Sequence, residues 1–201
     1  MRLTTTLLAS LVGGGLATTI APMVNAADGA ALAAERCESC HGKGGVTQQE
    51  DVGNIAGVSA YYLQTQLEMY KSGERTGAKH GESDTSMNKV AENLSDEEIE
   101  VVAEYYAEQP YTPYKQEVDS AKAEKGAQVH EEACETCHTE GGSVADDDAG
   151  ILAGQPIGAL RSMFKEIGAG TRPFPKKMTS NFKELSEEDQ EALIQYYAGQ
   201  Q

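Results

Sequence analysis

Apolar positions along this chain recur every three to four residues and never strictly alternate, so the pattern predicts helices and no sheet. Leu63, Leu67 and Tyr70 fall at i, i+4 and i+7, which gives one helix an apolar face. The alanine-rich stretch 30–34 favours a helix ahead of it. A third helix opens at Ser95, an N-cap with Glu98 at capping-box spacing, and closes on Tyr105 and Tyr106.

The same pattern then returns. Gly29, Ile55-Ala56-Gly57, Leu63, Leu67 and Tyr70 superpose on Gly126, Leu152-Ala153-Gly154, Leu160, Phe164 and Ile167 at an offset of 97 residues. The second copy afterwards runs six residues shorter, and at an offset of 91 Met87, Leu94-Ser95 and Tyr105-Tyr106 meet Met178, Leu185-Ser186 and Tyr196-Tyr197. Each copy reads as three helices with long loops, an all-α fold duplicated in tandem. Pro110 and Pro113 interrupt the stretch between them, which reads as extended linker. The predicted units are 27–109 and 121–201, joined by 110–120.

One apolar run belongs to neither copy. Arg2, the run from Leu7 to Ile20 and then Val24-Asn25-Ala26 have the order of a secretory leader, with cleavage expected after Ala26 and a periplasmic destination. The run is short for a retained anchor and is broken by Gly13-Gly14-Gly15. Past residue 26 no stretch approaches the length of a membrane span, so the mature chain is expected to be soluble. Each copy has fewer than a hundred residues, a size at which cores are thin and a staple is usually needed. Without the leader the chain carries 15 Lys and Arg against 32 Asp and Glu, net −17. Such a field repels nucleic acid and steers basic partners.

The staple is visible at equivalent places in the two copies: Cys37-Glu38-Ser39-Cys40-His41 and Cys134-Glu135-Thr136-Cys137-His138. Cys-x-x-Cys-His is the attachment signal of c-type haem, in which two thiols add to the vinyl groups and the following His ligates iron. Structural disulfides suit a secreted chain but give no reason for a His after each pair. A four-cysteine zinc site must bring together pairs from two separate units, and a thioredoxin-like motif belongs beside a βαβ pattern that is absent. Cys37, Cys40, His41, Cys134, Cys137 and His138 are therefore the expected haem-binding residues, and two covalent haems the expected cofactors.

Distal iron ligands follow from the repeat. Met1 and Met23 lie in the leader; Met69 aligns with Glu166, and Met163 with Gln66, so both read as packing residues. Only Met87 and Met178 recur, each seven residues before the Leu that precedes the last helix, and they are assigned to iron opposite His41 and His138. His80 has no counterpart and reads as a loop residue, His130 as a surface residue, and Asp146-Asp147-Asp148 as a solvated acidic loop. Met/His ligation fills both axial positions and favours electron transfer over bond-making at iron. No triad, phosphate loop or carboxylate pair suggests a catalytic site of the chain's own.

These residues resemble the dihaem cytochromes built from two class I domains. From Tyr111 to the C-terminus the chain is also similar to the cytochrome subunit of flavocytochrome c sulfide dehydrogenase, in Cys134 to Gly142, Ile151 to Gln155, Arg172 to Met178 and Tyr197 to Gln201, and Tyr70 to Glu74 is similar too. The resemblance implies an electron-transfer subunit whose FAD-bearing partner oxidises sulfide and passes electrons to the haems, with the two haem domains packed about a pseudo-twofold axis. The alternative is a freely diffusing dihaem shuttle to a terminal oxidase. A third class, a haem enzyme with an open iron site acting on a small sulfur compound, is disfavoured by Met87 and Met178.

Overall fold

The computed structural model describes residues 26–79, 85–145 and 149–201; the leader assigned to 1–26 (Ala26 apart), His80 and Asp146 to Asp148 lie outside them. The first copy holds α1 (Ala26–Arg36), α2 (Glu38–His41), a 3-10 turn (Lys43–Gly45), α3 (Ala60–Ser72), α4 (Met87–Glu92) and α5 (Asp96–Ala107). The second holds α6 (Ser120–Ala133), α7 (Thr139–Gly142), α8 (Ile157–Gly168), α9 (Lys176–Glu184) and α10 (Glu187–Ala198). Among the described residues β-pairing is limited to one isolated bridge between Lys79 and Ser86, and no helix is long and apolar enough to cross a membrane. Residues 110–119 form neither helix nor strand.

Three helices per copy is an undercount. The short helices α4 and α9 each carry one of the recurring methionines. Ser86 caps α4, and Pro175 precedes the first residue of α9, but six and nine residues are too few to show an apolar period. The capping boxes form as expected. Ser95 Oγ accepts from Glu98 N at 3.1 Å while Glu98 Oε2 accepts from Ser95 N at 2.7 Å. Ser186 and Asp189 repeat this at 3.1 and 3.3 Å.

Asp189 sits below its ordinary carboxylate value because it accepts from the Ser186 hydroxyl and from Lys125. A depressed carboxyl stabilises the fold above the pH at which the unfolded side chain titrates and loses that contribution as pH falls through its folded value. Acidification from neutral pH into the carboxylate range is therefore expected to lower the melting temperature, and less steeply in Asp189→Asn. Equal slopes for the two proteins in melts at stepped pH would contradict this.

The first and last long helices of each copy cross closely, α1 on α5 and α6 on α10. The glycine found eight residues before each first cysteine is the crossing point. A Cβ on Gly29 would lie 2.8 Å from both Tyr105 Cβ and Val101 O, and one on Gly126 would lie 2.7 Å from Tyr196 Cβ and closer still to Ala192 O. Leu160, Leu193, Ile194, Tyr197 and Ala198 form the core of the second copy, with Met163 packed against it as expected.

The copies share a buried seam. The core around Ala33, Leu63, Val102 and Tyr106 includes Ile151 and Ala153 from the second copy. Asn54 N donates to Gln155 Oε1 at 2.9 Å and Gln155 Nε2 returns a bond to Asn54 O at 3.0 Å. Ala159 N donates to Glu50 O at 3.1 Å and Thr76 N to Thr171 O at 2.9 Å. Arg75 forms a buried ion pair with Glu166 across the same seam at 2.8 Å, side chains 8% and 11% exposed. Burial makes that pair costly to break, because either partner alone would be an uncompensated charge.

Candidate functional site

Each Cys-x-x-Cys-His string is wound into one turn by the same backbone bonds. Cys40 N and His41 N donate to Cys37 O at 3.2 and 3.0 Å; Cys137 N and His138 N donate to Cys134 O at 3.1 and 3.0 Å. Each turn continues the preceding helix, through Cys37 N to Ala33 O at 2.9 Å and Cys134 N to His130 O at 2.8 Å. Two sulfurs and an imidazole are thus presented together, twice.

The repeated glycine-containing segments hold the loops that follow. Gly45 O accepts from Ile55 N and Ala56 N at 3.0 and 3.3 Å; Gly142 O accepts from Leu152 N and Ala153 N at 2.8 and 3.1 Å. Gly57 N then donates to Tyr106 O at 2.8 Å and Gly154 N to Tyr197 O at 2.7 Å. Both glycines have φ of 68°, the left-handed region that a side chain disfavours. The loops are thereby tied to the terminal helix of their own copy.

Proximal chemistry is set by a second bond. His41 Nδ1 lies 2.9 Å from Gly53 O, and since a carbonyl only accepts, Nδ1 carries the proton and Nε2 is the nitrogen with a lone pair for iron. His138 is buried. Burial pushes the Cys37 and Cys134 thiols above their ordinary range, so neither is held as a thiolate nucleophile. No disulfide joins the four cysteines, and among the described residues no three His, Cys, Asp or Glu side chains converge to hold a bare metal ion. Paired sulfurs followed on the same turn by a His, anchored at Nδ1 in His41 and buried in His138, fit a covalently attached haem.

Met87 is the first residue of α4, and its neighbour Asn88 clamps the chain around it. Asn88 Oδ1 accepts from Gly77 N at 2.9 Å, and Nδ2 donates to Tyr70 O and Arg75 O at 2.8 and 2.7 Å. A shallow cleft lined by Glu35, Arg36, Thr85, Lys89, Val90 and Asn93 separates α4 from the end of α1, next to Cys37. Met178 lies in the first turn of α9, which Asn181 ties to the end of α6 by donating from Nδ2 to Ala133 O at 2.8 Å, one residue before Cys134. Both methionines are partly buried.

His130 corrects the sequence reading. It is 2% exposed rather than on the surface, with Nδ1 2.9 Å from Tyr197 Oη and Nε2 2.5 Å from Glu135 Oε2. Glu135, the residue after Cys134, is held below the usual carboxylate range by that bond. Lone histidines carry no periodic signal, so only the contact with the motif reveals this role. Arg75 and Arg172, 7% and 5% exposed, are buried as well and repeat at the 97-residue offset.

Two helical units, each built around a Cys-x-x-Cys-His turn, define a dihaem cytochrome fold with two class I domains. The family model for cytochrome c matches residues 26–108, and that for subunit III of cbb3-type cytochrome c oxidase matches 121–196. The chain belongs to the cytochrome c family: it is 36% identical over 73 residues to cytochrome c-554(548) of Halomonas halodenitrificans, a match covering 36% of this chain and 83% of that protein. It is 35% identical over 79 residues to a thiosulfate dehydrogenase electron acceptor of Thiomonas intermedia, across 39% of this chain and only about a third (35%) of that protein. Reduced cytochrome c4 from Pseudomonas stutzeri superposes with a TM-score of 0.72 at 26% identity, over 88% of this chain and 99% of that one. The protein is an electron-transfer dihaem cytochrome c.

Proposed function

We propose that this chain is a periplasmic electron acceptor for a sulfur-compound oxidoreductase. In this reading haem c is bonded to Cys37 and Cys40 in unit 27–109 and to Cys134 and Cys137 in unit 121–201, with 110–120 as linker. His41 and His138 are the proximal ligands, Met87 and Met178 the distal ones. The observation that carries the assignment is the duplicated turn paired each time with a methionine at the start of a short helix. Haem held by these residues would supply one-electron chemistry, and with a His and a Met of each unit both committed to the iron it would offer substrate no place to bind. The remaining work is the chain's own: Gly53 O orients His41, Asn88 and Asn181 fix the methionine helices, and the seam holds the two units together.

For the electron donor, the likeness of Tyr111 to Gln201 to the sulfide dehydrogenase cytochrome subunit favours an FAD subunit that oxidises sulfide. A second reading, a thiosulfate-oxidising partner, is favoured by the relative described as a thiosulfate dehydrogenase electron acceptor. Stopped-flow reduction of the purified dihaem protein separates them. Reduction by sulfide with the flavoprotein, and not by thiosulfate with thiosulfate dehydrogenase, is the expected result; the reverse replaces the sulfide reading, and reduction by neither returns the protein to a free shuttle. Given the −17 charge, a shuttle's rate falls steeply with salt while transfer in a permanent complex does not. An N-terminus at Ala27 on the exported protein would accord with the leader, and one at Met1 would refute it.

A further inference from the structure

A strongly acidic chain gathers lysines on one face of its second unit. Lys176, Ser180 and Lys183 fall at i, i+4 and i+7 along α9, with Lys177 beside them, and all four are exposed. Met178 and Phe182 lie on the opposite side of the same helix, partly buried and buried. The Phe164 and Phe182 rings meet edge-on with centroids 5.4 Å apart, which holds α8 against α9, and the exposed Lys165, next to Phe164, joins the group.

None of these four lysines meets a carboxylate among the described residues, although the chain has two acidic residues for every basic one. Other surface cations do: Lys71 pairs with Asp96, Lys125 with Glu188 and Asp189, and Arg161 with Glu191. Lys176 and Lys177 also occupy the first turn of α9, where the helix macrodipole disfavours cations. The first copy reverses the pattern. At the 91-residue offset Lys176, Lys177 and Lys183 correspond to Thr85, Ser86 and Glu92, and at the 97-residue offset Lys165 corresponds to Glu68. The short methionine helix of the first copy forms without lysine at these places, so the repeat does not require it for folding. Exposed, unpaired charges held against their local electrostatics point to a use outside the chain.

We propose that Lys165, Lys176, Lys177 and Lys183 form the docking surface for an acidic protein that exchanges electrons with this chain, seated over the helix that carries Met178. The inference rests on the electron-transfer reading above and on Met178 as an iron ligand. The net charge of −17 repels an acidic protein as a whole, but within a Debye length, about 8 Å at physiological salt, the nearest charges dominate. Such a partner is therefore admitted only where it meets α9, and Glu68 and Glu92 turn it away from the equivalent positions of the first unit. Basic partners, which the overall field attracts, are excluded from the lysine face by the same rule. The chain thus sorts its partners by the sign of their surfaces.

Two acidic probes test this on the haem-loaded protein: a polyglutamate peptide, and a gold electrode carrying a carboxylate-terminated monolayer. At low ionic strength, reduced 15N-labelled protein titrated with polyglutamate should show amide shifts concentrated in α9 and around Lys165 and absent from α4. On the electrode, Lys176→Glu/Lys177→Glu is expected to lower the interfacial electron-transfer rate about tenfold. Lys43→Glu/Lys115→Glu, an equal change in net charge at exposed lysines elsewhere, should alter it by no more than about twofold. Equal losses in the two variants would reduce the effect to overall charge and overturn the proposal, as would polyglutamate shifts spread over both units. Binding to phosphatidylglycerol vesicles but not to polyglutamate would replace the protein partner by a membrane, and a sedimenting dimer abolished by Lys176→Glu/Lys177→Glu would replace it by a second copy; either result overturns the proposal. Reduction by neither sulfur-compound donor in stopped flow would remove those donors and leave the polyglutamate and electrode readouts untouched, so the two failures are distinguishable.

Discussion

Replacing Met178 by Ala is expected to convert one of the two haems from six-coordinate low-spin to high-spin iron and to leave the other untouched. Optical and EPR spectra should therefore lose about half of the low-spin signal, and the altered haem alone should bind added imidazole or cyanide. Met87→Ala should do the same to the other half, and the double variant to both. The reason is local: α9, which carries Met178, begins immediately after Pro175 and is tied through Asn181 to the carbonyl before Cys134. Thioether ligation also raises the reduction potential, so the midpoint of the altered haem should fall. A Met178→Ala protein that keeps its full low-spin signal would remove Met178 from the iron.

The largest loss of stability is expected from Gly126→Ala. The new methyl would meet Tyr196 Cβ at 2.7 Å and the Ala192 carbonyl at shorter range, and neither is the far end of a flexible chain. Forcing α6 away from α10 opens the core around Leu193 and Tyr197. Overpacking of this kind costs about 3 kcal/mol, which corresponds to about 6–12 °C in melting temperature for a chain of this length. Calorimetry on the haem-loaded protein would register it; a change under a degree would mean that the helices separate without cost. Alanine is the better helix former, so propensity alone predicts the opposite sign.

Much of this molecule was legible in the sequence because duplication marks what matters. Gly29 and Gly126 repeat because two helices touch there, and Ile55-Ala56-Gly57 and Leu152-Ala153-Gly154 repeat because their amides hold the loop after each haem motif. The capping boxes at Ser95 and Ser186 were readable because they are purely local. What escaped lay in features with no period or no twin. The helices that carry the methionines are too short for periodicity, and the burial of His130 depends on Tyr197, 67 residues away. The reciprocal bonds of Asn54 and Gln155 span 101 residues, and neither has an amide at its counterpart position, where Ile151 and Val58 stand.

The seam pairs the same elements of the repeat face to face, with helix α3 and its following loop on one side and α8 and its loop on the other. That is the form of an isologous contact between two identical subunits, here carried on one chain. In a homodimer every substitution is made twice, and a change that helps one side is imposed on the other. Fusion through the ten-residue stretch 110–119 lifts that obligation while keeping the partners at high effective concentration. Glu166 has no acidic twin at Met69, nor Gln155 an amide twin at Val58, and neither difference is available to a symmetric pair.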